Sequence, residues 1–213
     1  MSGTWATRVG LVLAALAGAA WVVSAAATPV ELPPSATFLG ESDFDDAGYS
    51  VAGIGDVDGD GLDDVAIAAP DSDIVAVNAG QVYVMLGRAA DWQLDVSLGA
   101  ADGSFVGEYS NDNAGYAVAG AGDADGDGLD DLLIGAHKND DGGGNAGKIY
   151  LVFGDAAGWP MQTSLSTAQA SFLGEAVDDR AGYSVAGAGD LDGDGFDDLL
   201  MGAYKSNDGV YHG

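Results

Sequence analysis

The sequence contains no cysteine. No disulfide can cross-link its loops, and thiolate metal sites and cysteine nucleophiles are ruled out together. Cationic residues are scarce as well: six Lys and Arg stand against 34 Asp and Glu, a formal net charge of −28. Nucleic-acid affinity depends on Lys and Arg neutralising phosphates, so no nucleic-acid partner is expected, and anionic membrane surfaces are disfavoured for the same reason. Only two histidines occur, His137 and His212, too few for the sites that transition metals prefer. Catalysis finds little footing. Gly48-Tyr49-Ser50-Val51-Ala52 lacks the last glycine of a nucleophile elbow, and Ala117 replaces its serine in a later copy, so no enzyme is expected. Sustained helical periodicity is also missing beyond the N-terminal apolar run, which points to an all-β chain.

What the sequence does contain is repetition. At 213 residues, 47% of them apolar, the chain is long enough for a sizeable core. Phe38-Leu39-Gly40-Glu41 returns as Phe105-Val106-Gly107-Glu108 and Phe172-Leu173-Gly174-Glu175, a constant offset of 67 residues (105 − 38 and 172 − 105). Ala47-Gly48-Tyr49, Ala114-Gly115-Tyr116 and Ala181-Gly182-Tyr183 keep that offset. The reading is two complete modules, 36–102 and 103–169, and a third, 170–213, that breaks off where Ser206 to Tyr211 restarts a strand early.

Ahead of the modules, Arg8, an apolar run from Val9 to Val23 and the small residues Ser24 to Ala27 form an export signal over 1–27, cleaved after Ala27. An uncleaved membrane anchor is the alternative, because the run is just long enough to span a bilayer. Residues 28–35 are a Pro-containing linker. Either way the modules are exported, whether secreted, periplasmic or held at the cell surface, and the mature chain left by cleavage is not embedded in a membrane.

Within a module, Tyr49 to Gly55 alternates as a strand, Val65 to Ala69 reads as a buried strand, and Gln81 to Leu86 is an apolar, β-branched and aromatic run. The stretch around Ser104 to Val106 supplies a weaker fourth strand. Four strands per repeat is the content of a propeller blade.

Between the first two strands lies Asp56-Val57-Asp58-Gly59-Asp60-Gly61-Leu62-Asp63-Asp64, with counterparts at Asp123 to Asp131 and Asp190 to Asp198. Carboxylates clustered this tightly repel one another unless a cation intervenes. Ca²⁺ takes six to eight oxygens at flexible angles, and loop positions 1, 3, 5 and 9 with the carbonyl of position 7 can wrap one ion. The ligands would be Asp56, Asp58, Asp60, Leu62 and Asp64; Asp123, Asp125, Asp127, Leu129 and Asp131; and Asp190, Asp192, Asp194, Phe196 and Asp198. By alternation Asp63, Asp130 and Asp197 point away from the ion, as solvated or supporting residues. An EF-hand is excluded, because Ile67, Ile134 and Met201 stand where it needs a bidentate Glu. Magnesium demands a stricter octahedron. Three copies with identical ligand spacing argue against mere polar turns.

These residues resemble the FG-GAP repeat family, the modules of the integrin α-subunit propeller. Phe38-Leu39-Gly40, Phe105-Val106-Gly107 and Phe172-Leu173-Gly174 match the first element; Ala68-Ala69-Pro70, Gly135-Ala136-His137 and Gly202-Ala203-Tyr204 match the second without spelling it in full. The resemblance implies a seven-bladed β-propeller of which this chain supplies about three blades, an incomplete ring that either belongs to a longer chain or pairs with other copies. It implies Ca²⁺ rigidifying the blade hairpins, one ion per repeat, and an adhesion or protein-binding scaffold.

A glycan-binding propeller lectin is an alternative, as is the accessory propeller of an exported hydrolase whose catalytic domain lies elsewhere. The partner is an extracellular protein or glycan, recognised by loops such as Asp71 to Ala79 and Asn139 to Gly144. Tyr49, Tyr116 and Tyr183, with Phe38, Phe105 and Phe172, could stack sugars, but one per module is more often blade packing.

Overall fold

The computed structural model describes residues 36–89 and 95–206, with the two-residue strand Arg8–Val9 (β1). The rest of the segment read as an export signal, the stretch read as a linker up to residue 35, and residues 207–213 lie outside the described residues.

Each sheet begins with an inner strand that the sequence makes small and alternating, then builds outward. Inner strand β3 (Val51–Gly55) pairs antiparallel with β4 (Asp64–Ala69), and β4 with β5 (Gln81–Met85). The outermost strand, β7 (Gly103–Val106), follows the short β6 (Val96–Ser97) and is antiparallel to β5. The second sheet repeats this with β8 (Ala117–Gly122), β9 (Asp131–Ala136), β10 (Lys148–Val152) and, after the short β11 (Thr163–Ser164), β12 (Ala170–Leu173). The third shows β13 (Ala181–Gly189) and β14 (Asp198–Ala203). No α-helix occurs among the described residues, and none of their helices is long and apolar enough to cross a membrane. The sheets are propeller blades in an unclosed array.

Sheet and sequence repeat are out of phase. The Phe105 strand, first in the second repeat, hydrogen-bonds as the edge of the first sheet. Phe38 occupies the same place one repeat earlier, in β2 (Phe38–Leu39), which pairs with β1 and β6 rather than with β3 to β5. In two repeats a further short strand joins that edge in parallel, β6 on β2 and β11 on β7, each leading into a 3₁₀ turn capped by the Ser97 or Ser164 hydroxyl.

Strands buried on both faces need apolar residues at every position rather than every second one. β4 and β9 have them, and all six residues of each are buried. Ala66 and Ala68 meet Leu132, Ile134 and Ala136 of the next blade, around Ile54, Val82, Val84 and Tyr150. The opposite face of β9 continues the core through Leu133 to Val185, Leu199 and Ala203. Fully burying one Leu, Ile or Phe contributes about 1.5–3 kcal/mol, so the inter-blade layers carry most of the stability. The outward face of β14 is open, with Leu200 55% exposed.

Candidate functional site

Every inner strand ends in a bulge. Pairing skips a residue between Gly53 and Gly55, Gly120 and Gly122, and Gly187 and Gly189, and the last glycine of each pair sits at φ +73°, +71° or +67°. A side chain resists that conformation, so glycine sets the turn that swings the chain into the acidic loop.

The loop then wraps around its first carboxylate. Asp56 accepts hydrogen bonds from the backbone N–H of Gly59 (2.8 Å), Asp60 (3.0 Å) and Gly61 (2.8 Å). Asp123 does the same for Gly126, Asp127 and Gly128, and Asp190 for Gly193, Asp194 and Gly195. Asp58 and Asp60 cap the N–H two residues on. The ninth residue anchors the loop to its sheet: Asp64 accepts from Val57 at 2.9 Å and from Gly87 at 2.6 Å, and Asp131 from Ala124 and Gly154, both at 2.9 Å.

Carboxylate oxygens converge in all three loops. One each from Asp56, Asp58 and Asp64 lie within 4.8 Å of one another, as do those of Asp123, Asp125 and Asp127, and of Asp190, Asp192 and Asp194. Asp60, Asp131 and Asp198 fall outside these closest triads but stay within their loops. Leu62, Leu129 and Phe196 occupy the seventh position. Burial raises Asp64 and Asp131 to about 6, against the backbone hydrogen bonds that lower them, and neighbouring carboxylates add to the rise. Hard oxygen donors, no competing nitrogen or sulfur, and buried carboxylates short of positive charge fit a calcium ion.

Alternation does turn the eighth residue out of its own loop: Asp63 is exposed, whereas Asp130 and Asp197 reach the preceding blade. Asp130 accepts a hydrogen bond from the Asp56 N–H at 2.8 Å, while its own N–H donates to the Asp56 carbonyl at 3.1 Å. Asp197 and Asp123 repeat the pair at 3.1 Å in both directions. The seventh residue joins in, for a Cβ on Gly59 would come within 2.9 Å of Leu129, and one on Gly126 within 2.6 Å of Phe196. The second and third loops therefore each clasp the one before. The residue type alone does not announce this, but a glycine before the acidic run in all three copies is a usable signal.

The repeated aromatics divide. Phe38 and Phe105 are buried, and Phe105 packs edge-on against Trp159. The tyrosines begin the inner strands, at the end of the blades opposite the acidic loops, and stay accessible: Tyr49 is 52% and Tyr183 38% exposed.

Comparison with known proteins agrees with this architecture. The FG-GAP repeat matches at residues 47–85, 114–152 and 181–212. Integrin alpha-PS2 of Drosophila melanogaster is 34% identical over 167 residues, 75% of this chain and 12% of that protein. Human integrin alpha-IIb is 31% identical over 165 residues, 75% of the chain and 15% of the relative. Integrin alpha-5 of Xenopus laevis is 32% identical over 179 residues, 78% and 15%. The chain thus spans a small fraction of the length of these relatives. With three matched repeats folded as successive blades, it belongs to the FG-GAP repeat family of integrin α-like β-propeller modules.

Proposed function

We propose that this chain is a calcium-rigidified binding scaffold outside the cell, secreted, periplasmic or surface-held, that engages an extracellular partner and catalyses nothing. The observation that carries the reading is the convergence of three aspartate carboxylates in each of three loops of identical aspartate spacing. Asp56, Asp58, Asp60 and Asp64, with the Leu62 carbonyl, would hold one ion; the sets from Asp123 to Asp131 and Asp190 to Asp198 would hold two more. The ion relieves repulsion between the clustered carboxylates and fixes a glycine-rich loop that lacks any disulfide. Because neighbouring loops clasp one another, fixing one stiffens the next. Integrin relatives make adhesion the leading role, with repeats 36–102, 103–169 and 170–213 as its units.

Calorimetric titration of the metal-free protein with Ca²⁺, with the thermal midpoint followed in parallel, tests this. Saturation near three ions with a rising midpoint is expected, each site adding about 2.7 kcal/mol at a hundredfold excess over its Kd. No heat and a flat midpoint at millimolar Ca²⁺ would remove the calcium reading.

A further inference from the structure

At the end of the blades away from the acidic loops, Tyr49, Tyr116, Tyr183 and Tyr204 form a continuous row. Successive ring centroids are 5.0, 5.0 and 4.2 Å apart, with planes tilted by 43°, 42° and 48°. Tyr204 is 55% exposed, so with Tyr49 and Tyr183 the row presents ring surface to solvent rather than filling a core. Tyr116 also lies against His137, with centroids 3.8 Å apart. Beside the row is a cavity of about 300 Å³, within the range of small-ligand sites, lined by Asp46, Tyr49, Asp71, Asn113, Tyr116, His137 and their neighbours Pro70 and Lys138.

Two of those lining residues carry an orphaned atom. Asn113 and His137 are each 3% exposed, and neither Asn113 Oδ1 nor His137 Nδ1 has a hydrogen-bond partner. Buried polar atoms are seldom left unpaired, since each costs about 1–3 kcal/mol. The other end of the Asn113 amide is engaged, donating to the Pro70 carbonyl at 3.0 Å and to Asp71 at 2.6 Å. Burial pushes His137 down to about 4, with Lys138 and Arg180 adding to the fall, so the imidazole is neutral.

These features select among ligand classes. An anion would meet the carboxylates of Asp46 and Asp71. A cation would be drawn by the same carboxylates but opposed by Lys138 beside them, and the Asp71 carboxylate already accepts from Asn113, so the lining favours no strongly charged guest. An apolar guest would leave both orphaned atoms unpaired. A sugar ring has an apolar C–H face to lie on tyrosine and hydroxyls to donate to an amide oxygen, a neutral imidazole and carboxylates.

We propose that this cavity and the tyrosine row beside it form a binding site for a neutral saccharide, stacked on Tyr49 and Tyr116 and hydrogen-bonded through Asn113 and His137. The site names the ligand chemistry of the scaffold and rests on that binding role, but it does not need the calcium loops.

The test is calorimetric titration of the full calcium-loaded protein with neutral tetrasaccharides of glucose, mannose and N-acetylglucosamine. A glycoprotein before and after enzymatic deglycosylation shows whether the sugar is taken free or on a protein. At least one of these sugars is expected to bind, with affinity at least tenfold weaker in Tyr116→Ala and near the wild-type value in Tyr116→Phe. Circular dichroism and the Ca²⁺-dependent rise in thermal midpoint are read on the same samples. A calcium response with no sugar bound, or binding unaltered by Tyr116→Ala, overturns this site alone. Sugar binding without a calcium response overturns the metal reading and keeps the site.

Discussion

Gly55→Ala and Gly122→Ala are expected to damage the protein far more than the matching change Gly189→Ala, although all three glycines share one backbone conformation. At φ near +70° an alanine costs about 1–2 kcal/mol anywhere. A Cβ at Gly55 would also stand 2.0 Å from Asp130 Oδ2, and one at Gly122 would stand 1.8 Å from Asp197 Oδ2, whereas nothing lies within 4 Å of Gly189. The carboxylate must leave the backbone N–H it accepts from, and a hydrogen bond to a charged group is worth about 1.5–3 kcal/mol. The two clasped positions should therefore lose about 2 kcal/mol beyond Gly189, or about 4–8 °C in midpoint for a chain of this size. Urea denaturation of the calcium-loaded protein measures the difference. A double-mutant cycle sharpens it, since once Asp130→Ala has removed the carboxylate, Gly55→Ala should cost only its backbone strain, with a coupling of about 2 kcal/mol. Equal losses at Gly55 and Gly189, with coupling under about 0.5 kcal/mol, would show that the clasp contributes nothing.

Lys148 is wedged between Glu108 and Asp141 at 2.6 and 2.7 Å, with Lys148 and Glu108 each 11% exposed. Lys148→Gln installs the residue found one repeat earlier at Gln81 and leaves the nearly buried Glu108 carboxylate without its cation, the Tyr150 hydroxyl at 2.8 Å still donating to it, so a loss of about 3 kcal/mol is expected in the same urea assay; a loss below about 1 kcal/mol would mark an ordinary surface pair. His137 stays neutral until about pH 4 in the folded chain while its unfolded counterpart protonates near 6.5. Its contribution is complete above pH 6.5 and is lost as pH falls towards 4, up to about 3 kcal/mol. Subtracting the pH–stability curve of His137→Tyr, which copies Tyr204 of the third repeat, should expose that slope, and superimposable curves would refute the shift. Within the calcium titration, Asp64→Asn should weaken one site and leave two ions bound, and an unchanged stoichiometry of three would place the ion elsewhere.

What could be read from the sequence was whatever is local in it. The constant offset, the aspartate spacing and the runs Val65 to Ala69 and Gln81 to Leu86 depend on neighbours within a few residues, and the strands lie there as Asp64–Ala69 and Gln81–Met85. The contact from Asp130 to Asp56 spans 74 residues, and nothing in the loop separates an aspartate that faces water from one that faces another loop. The blade-packing expectation for the aromatics holds for Phe38 and Phe105 and not for the tyrosines, for a similar reason. Phe105 and Tyr116 recur with the same period, yet Phe105 sits inside a blade while the tyrosines line the rim where inner strands begin. Periodicity identifies a residue that matters in every unit and is silent about which way it points.

The mismatch between the sheets and the 67-residue repeat bears on how such an array grows. Because the strand at Phe105 closes the sheet begun at Val51, no single repeat owns a finished blade, and neighbours are stitched by main-chain hydrogen bonds as well as by the aspartate contact. A segment duplicated with that period, wherever its ends fall, brings one edge strand to donate, one to receive, one aspartate plug and one glycine-lined socket, all in step. Lengthening the array by unequal crossing-over therefore asks for no new interface, and a frame slip inside the period is penalised at once, because plug and socket then fall out of register together.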